Sequence, residues 1–279
     1  MDIWYSICDT LPFDMFHWTF MQNALLAVLL IAPLFGLTST MVVTGRMSFF
    51  SDALGHSAFT GIAIGAICGI ANPTWTAVLF AIFFAVLFSF IRSKSNHTAD
   101  TLIGIFSSTA VALGIFVATL GGGSFTKYNK YLIGDILSVT PKEIALLAVV
   151  LTCVVVFWIL YANRLTLCVI HPQLASSRGI ALNFTQTCFT VAIAVVVTLA
   201  ISWVGLLILN SLLVFPGVIA RNVAKNLKQY HLISIVSALL AGIAGLCVSF
   251  ILGTSAGAAI SLILAALFVF SFLLRKARI

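Results

Sequence analysis

Asp52 and His56 are the pair in this 279-residue chain whose types and spacing point to chemistry. Asp52 is one of seven acids and stands near the start of an apolar run, and His56 follows four residues later. A carboxylate at the centre of a membrane helix costs roughly 2.5–3.5 kcal/mol on insertion scales, which makes it a functional candidate. At i and i+4 the two side chains stand one turn apart on the same helix face. A carboxylate and a neutral imidazole nitrogen so placed can bind one divalent cation together. Phe59 and Thr60 are expected to continue that face, with the Thr60 hydroxyl adding a weak oxygen ligand or holding a water. A second reading needs no metal. Ser51 and Asp52 stand near the start of the run, and both are good helix N-caps. The spacing leaves both readings open, but they differ in consequence. One Asp leaves one charge of a bound dication unbalanced, whereas a symmetric dimer supplies two Asp and two His, a neutral four-ligand site.

Other chemistry is sparse. Ser107, Ser108 and Thr109 in one run, and Asn210 with Ser211 in another, either line a path or bond across helices. Pro216-Gly217 is expected to kink or break its helix and free backbone carbonyls. His17, His97, His171 and His231 fall at run ends or in loops. There is no G-x-x-x-x-G-K-[ST] phosphate loop, no H-E-x-x-H, and no Ser/His/Asp or Cys/His set. The six cysteines form no C-x-x-C pair and sit mostly in apolar runs, as packing residues do. With one intramembrane acid and one His, the chain also lacks the several titrating groups of a proton-coupled carrier. Energy must come from elsewhere.

These residues must be positioned by membrane helices. Hydrophobic residues make up 62% of the chain and charged ones 8%, against about 25% charged in a soluble domain. The fold class is therefore all-α, a polytopic transmembrane helical bundle forming a single domain over 1–279. Apolar runs of spanning length lie near 19–44, 51–70, 74–92, 99–120, 142–162, 185–202, 205–220, 231–252 and 257–274. That is nine spans, or eight if the closely spaced sixth and seventh are one interrupted segment. Asp2, Asp9 and Asp14 precede the first basic residue, Arg46, which is unlike a signal-peptide n-region. Alternation from an outer N-terminus puts eleven of the fourteen Lys and Arg inside, leaving Lys127, Lys130 and Lys142 outside. The positive-inside rule thus predicts N-out, C-in. The net charge of +7 lies on these loops and does not point to nucleic acid.

Ala53, Ser57, Gly61, Gly65 and Gly69 form a small-residue stripe along the Asp52 helix, a face that another helix can approach closely. Two connections exceed simple turns. The outer one, about 121–141, places Phe125, Tyr128, Tyr131 and Leu132 at helical spacing. It reads either as an interfacial belt or as a docking platform in which Lys127, Tyr128, Lys130 and Tyr131 meet an external partner. In the inner one, about 163–184, Pro172 can open a short helix and Gly179 close it.

The stretch SDALGHSAFTGIA (51–63) resembles the signature of metal-type ABC transporter permeases, which import zinc, manganese or ferrous iron in bacteria. YLIGDIL (131–137), VGLLILNSLLVFPGVIAR (204–221) and the inner loop extend the resemblance in order over most of the chain. It implies a multi-pass permease of the bacterial plasma (inner) membrane, a homodimer or a dimer of close relatives. Separate ABC ATPase subunits energise it, and an extracytoplasmic metal-binding protein delivers the ion. The ion is cargo, and no cofactor is bound permanently. Asp52 and His56 match the family's intramembrane acidic and His positions. Thr60, Asn210 and Ser211 remain the pathway candidates from the residues themselves. The inner loop departs from the family's Asp-Pro-Glu-x-Ala-x-x-x-Gly pattern, reading His171-Pro172-Gln173-Leu174-Ala175-Ser176-Ser177-Arg178-Gly179. Pro172, Ala175 and Gly179 match and both acids are replaced, so the implied coupling helix meets an ATPase of adjusted charge, with Arg178 its contact to an acidic group. The competing classes are a stand-alone metal channel or secondary metal carrier, and a non-transporting membrane scaffold.

Overall fold

The computed structural model describes residues 2–9, 14–70, 73–120 and 135–276, and every regular element among them is helical. In chain order the helices are α1 (Asp2–Asp9), α2 (Thr19–Thr44), α3 (Phe50–Ile67), α4 (Pro73–Lys94), α5 (Ala99–Leu120) and α6 (Pro141–Ile170). They continue with α7 (Pro172–Ser177), α8 (Leu182–Val204), α9 (Leu206–Val223), α10 (Leu227–Leu252) and α11 (Ala256–Lys276). Each of the nine apolar runs becomes one helix of at least 18 residues. Eight of these are long and apolar enough to cross a membrane on length and composition alone. The helix outside that eight is α3, whose 18 residues include Asp52, His56, three hydroxyl residues and three glycines. Polar content, not length, sets it apart.

The sixth and seventh runs are two helices, α8 and α9, divided at Gly205 (φ 87°, ψ 154°), a backbone region essentially reserved for glycine. Pro216 does not break α9. The Gly217 amide just beyond it donates to the Ser39 hydroxyl of α2 at 2.8 Å. Other ends follow ordinary capping rules. The Thr140 amide and hydroxyl both donate to Glu143 Oε2, at 2.7 and 2.8 Å, a capping box that starts α6. Asn226 accepts from the Gln229 amide at the start of α10, and Gly253 ends that helix in the left-handed conformation.

Packing divides the chain into two compact units. The first comprises Met1–Thr40, Asp135–Val155 and Trp203–Ile279. Within it α9, α10 and α11 pack on one another, and α2 closes on α10. A Cβ at Gly36 would lie 2.8 Å from the Ile235 Cα, and the Ser234 hydroxyl donates to the Gly36 carbonyl at 2.6 Å. The second unit comprises Met41–Gly134 and Val156–Ser202, and here α3 packs against both α4 and α5. Of the expected small-residue stripe, Ala53, Ser57, Gly61 and Gly65 are buried. Gly69 lies beyond the end of α3 at φ +70°, with open space where a Cβ would be. The stripe ends at Gly65 because the helix unwinds two residues later.

Candidate metal site

The site begins with the turn that delivers α3. At its back, α4 supplies two residues one helical turn apart. The Arg92 guanidinium donates to the Gly45 carbonyl at 3.4 Å and lies 3.1 Å from Met47 Sδ. Phe88 packs on Phe50 with ring centres 5.0 Å apart, and Phe106 of α5 meets Phe88 edge-on at 5.4 Å. Phe50 is fully buried in this cluster, so the first turn of α3 is held on the side away from Asp52.

Phe49 is the N-cap of α3. The expectation that Ser51 or Asp52 caps the helix is therefore corrected: Ser51 is buried inside the first turn, and Asp52 is its third residue. A carboxylate there gains about 0.3–1 kcal/mol from the helix dipole. His56 Nε2 lies 3.5 Å from Asp52 Oδ2, and the His56 and Asp52 side chains are 32% and 45% exposed. From Phe50 to Ala63 these two are the only residues of α3 that are not buried. Two tetrahedral ligands at about 2.0–2.1 Å from one ion stand roughly 3.3 Å apart, close to the spacing observed. Among the described residues no group of three or more His, Cys, Asp or Glu forms, so Asp52 and His56 stand here as a pair.

Thr60 does not continue the open face. Each four-residue step advances about 40° around a helix of 3.6 residues per turn, and by Thr60 the drift has carried the side chain into α5. Its hydroxyl donates to the Ala110 carbonyl at 2.7 Å, and the residue is 1% exposed. A Cβ at Gly114 of α5 would lie 2.6 Å from the Phe59 ring and 2.7 Å from Thr60 Oγ1, so the Gly114 side of α5 is flush with this corner. Thr60→Val is expected to lower stability by about 1 kcal/mol, the value of one interhelical hydrogen bond. Thermal unfolding of the purified variant with unchanged metal affinity checks it; a large loss of affinity at wild-type stability would contradict it.

Ser211 likewise bonds across helices: its hydroxyl donates to Ser261 of α11 at 2.8 Å, and Ser261 donates on to the Gly257 carbonyl at 2.8 Å. Asn210 is half-buried on α9. The short helix expected in the inner loop is α7, with His171 at its N-cap, Pro172 at N1 and Arg178 at its C-cap. Gly179 follows at φ +73°. Ala175 is fully buried, while His171, Gln173 and Arg178 are exposed. Lys127, Tyr128, Lys130 and Tyr131 lie outside the described residues. Only the tail of that outer segment is described, a short turn at Ile136–Ser138 capped by Asp135.

Residues 17–275 match the family described as the ABC 3 transport family. The chain belongs to the ABC 3 transport family. Its relatives in the family include the high-affinity zinc uptake system membrane protein ZnuB of Haemophilus influenzae, 29% identical over 252 residues, which cover 89% of this chain and 93% of that protein. Another is the manganese import system permease protein ScaB of Streptococcus parasanguinis, 30% identical over 258 residues, covering 92% of this chain and 90% of that one. Among solved structures, PsaBC from Streptococcus pneumoniae in complex with Fab matches with a TM-score of 0.79 at 25% identity, over 98% of this chain and 95% of that one. Within this ABC 3 chain the residue missed by the sequence reading is Arg92. It reads there only as one of the inner basic residues, because nothing local links it to a turn 45 or more positions earlier in the chain.

Proposed function

We propose that this chain is the membrane-spanning permease subunit of an ATP-binding-cassette importer whose cargo is a divalent transition-metal ion. The observation that carries the reading is the Asp52–His56 pair, spaced for one ion and half-open in a stretch of α3 that is otherwise buried. Zinc and manganese, named for the relatives, support a first-row cargo, and oxygen and nitrogen ligands suit Zn²⁺, Mn²⁺ and Fe²⁺ alike. One Asp half-neutralises such an ion. A two-fold partner, a second copy or a close relative, brings a second Asp and His and completes four ligands.

The chain works as one transmembrane domain of the bacterial inner membrane, N-terminus outside, as the distribution of Lys and Arg supports. A metal-binding protein docks on the outer segment around Lys127, Tyr128, Lys130 and Tyr131 and releases the ion to the paired sites. Closure of ATPase subunits then moves α7 and opens the path inward. Reconstitution with an ATPase subunit into vesicles is expected to give metal accumulation that requires ATP, together with metal-stimulated hydrolysis. Metal equilibrating equally well without ATP would replace this reading with a channel or secondary carrier.

A further inference from the structure

Three helix ends meet at one corner of the first unit. α9 and α11 run side by side in the same direction: the Ser211 hydroxyl donates to Ser261 at 2.8 Å early in both, and the Asn222 side-chain amide donates to the Ser271 hydroxyl at 3.1 Å near both ends. Ala224 ends α9 and Asn226 caps α10 two residues later. The turn between them is tied, since the Lys225 amide donates to Gln229 Oε1 at 3.0 Å. This fixed corner gathers four bases. Arg221, Lys225 and Lys228 flank the turn, Arg275 follows Ser271 by one helical turn, and all four are exposed.

The helices that meet here carry no acid of their own, because no Asp or Glu follows Glu143 in the sequence. α2 lies antiparallel to α10: Gly36 faces Ile235 near the start of α10, and Val28 faces Gly242 farther along. Asp14, which precedes α2, is therefore roughly 30 Å from the corner at 1.5 Å per residue. On the orientation proposed above, Asp135 and Glu143 lie on that far side as well. Like charges held together repel unless anions gather around them. Apolar side chains adjoin the bases. Leu232, one turn after Lys228, is 61% exposed, and Phe272, one turn before Arg275, is 51% exposed. The rings of Phe215, Phe268 and Phe272 form a row from α9 onto α11, with centres 6.2 and 6.5 Å apart, on the membrane side of Arg221 and Arg275.

We propose that this corner binds an anionic phospholipid of the inner leaflet, its phosphate shared by Arg221, Lys225, Lys228 and Arg275 and an acyl chain lying along the row of rings. The inference rests on the reading of the chain as an inner-membrane permease with its N-terminus outside, which puts the corner at the cytoplasmic boundary. Basic pockets between membrane helices on that side suit such headgroups. Bases beside exposed apolar side chains fit a molecule that is anionic at one end and hydrocarbon at the other. A water-borne acidic protein would meet the charges but not reach the rings in the bilayer, and free phosphate has no hydrocarbon for them. A lipid held there ties the ends of α9 and α11 together and stabilises the folded chain by binding it.

The test exchanges the full-length permease, with its ATPase subunit, into nanodiscs of phosphatidylcholine alone or with phosphatidylglycerol. Lipid retained after re-extraction into detergent and the thermal midpoint are measured. The wild type is expected to retain phosphatidylglycerol over phosphatidylcholine at least about tenfold, and to melt higher in its presence. The triple variant Arg221→Gln, Lys225→Gln, Lys228→Gln loses both effects, and the charge-keeping Arg221→Lys, Lys225→Arg, Lys228→Arg retains them. Lys94→Gln, which removes an exposed base over the Phe90 ring of α4, retains them too. Undiminished preference in the Gln triple variant, or an equal loss in Lys94→Gln, overturns the site. Inorganic phosphate raising the midpoint as far as phosphatidylglycerol does overturns the lipid as its ligand. A Gln triple variant that keeps its lipid but sheds the ATPase hands the corner to an acidic protein and overturns the proposal as well. Lipid retention is read on the permease itself, so an ATPase that never co-purifies counts against the ABC reading alone.

Discussion

Asp52→Asn is expected to abolish ATP-driven metal uptake while leaving the permease folded and joined to its ATPase. Asn is nearly isosteric with Asp but keeps no charge, so under the proposed function the ion loses the carboxylate that this chain offers it. Even outer-shell partners of metal ligands are worth about 10–100-fold in affinity; loss of the ligand itself is expected to exceed that range. The structural cost is small by comparison. Asp52 is the third residue of α3, with Phe49 as the cap, so the variant forfeits about 0.3–1 kcal/mol of helix-dipole stabilisation. His56→Ala should fall in the same direction, and the double variant should be little worse than Asp52→Asn alone, because the proposed function has both groups, 3.5 Å apart, serving one ion. Metal binding by the detergent-purified protein, uptake in vesicles and the thermal midpoint separate the two effects. Wild-type uptake by both single variants would remove this pair from the transport path.

The second large effect is steric. Gly61→Leu is expected to prevent α3 from seating on α4, with loss of most folded protein. A Cβ at this position would lie 2.6 Å from Ala77 Cα, 2.9 Å from the Thr76 carbonyl and 3.0 Å from Phe80 Cβ. Two of these are backbone atoms that no rotamer change can move. Overpacking a well-fitted core costs about 1–3 kcal/mol, occasionally more, and a leucine against a facing backbone belongs at the upper end. Gly104→Ala on α5 is the control: nothing lies within 4 Å of a Cβ there, and Ala is the better helix former by about 1 kcal/mol. Yield of monodisperse protein and its thermal midpoint should fall sharply for the first variant and hold or rise for the second. A Gly61→Leu protein as stable as wild type would mean that α3 and α4 do not approach as described. A tight α3–α4 contact also bears on function, since α4 carries Phe88 and Arg92, which hold the turn ahead of Asp52.

Much of the fold can be read without coordinates because hydropathy and helical periodicity are local. Nine apolar runs became nine long helices, and the pairing of Asp52 with His56 needed only four residues of sequence and the pitch of a helix. α7 was equally legible, since Pro172 and Gly179 act on the backbone next to them. Other readings turned on neighbours distant in the chain. Whether Thr60 opens onto a path or closes onto a wall depends on Ala110, fifty positions away. Ser211 reads as either a pathway group or a bond across helices until Ser261 is found beside it, again at a separation of fifty. The N-cap of α3 is Phe49, a residue with no capping group, because Phe50 is drawn into the Phe88–Phe106 cluster and Arg92 ties down the preceding turn.

The sequence by itself determined that the chain is a helical membrane protein, where its helices run, and which turn of which helix carries a carboxylate and an imidazole. Only the tertiary structure decided which faces of that helix are covered. Coverage is set by close approaches to glycine, such as the Ala77 backbone on Gly61 and the Phe59 ring on Gly114. Such contacts join residues from separate helices whose order along the chain says nothing about distance in space. Once α4 and α5 have taken their sides of α3, the stretch from Phe50 to Ala63 has one half-open stripe left, and it holds Asp52 and His56.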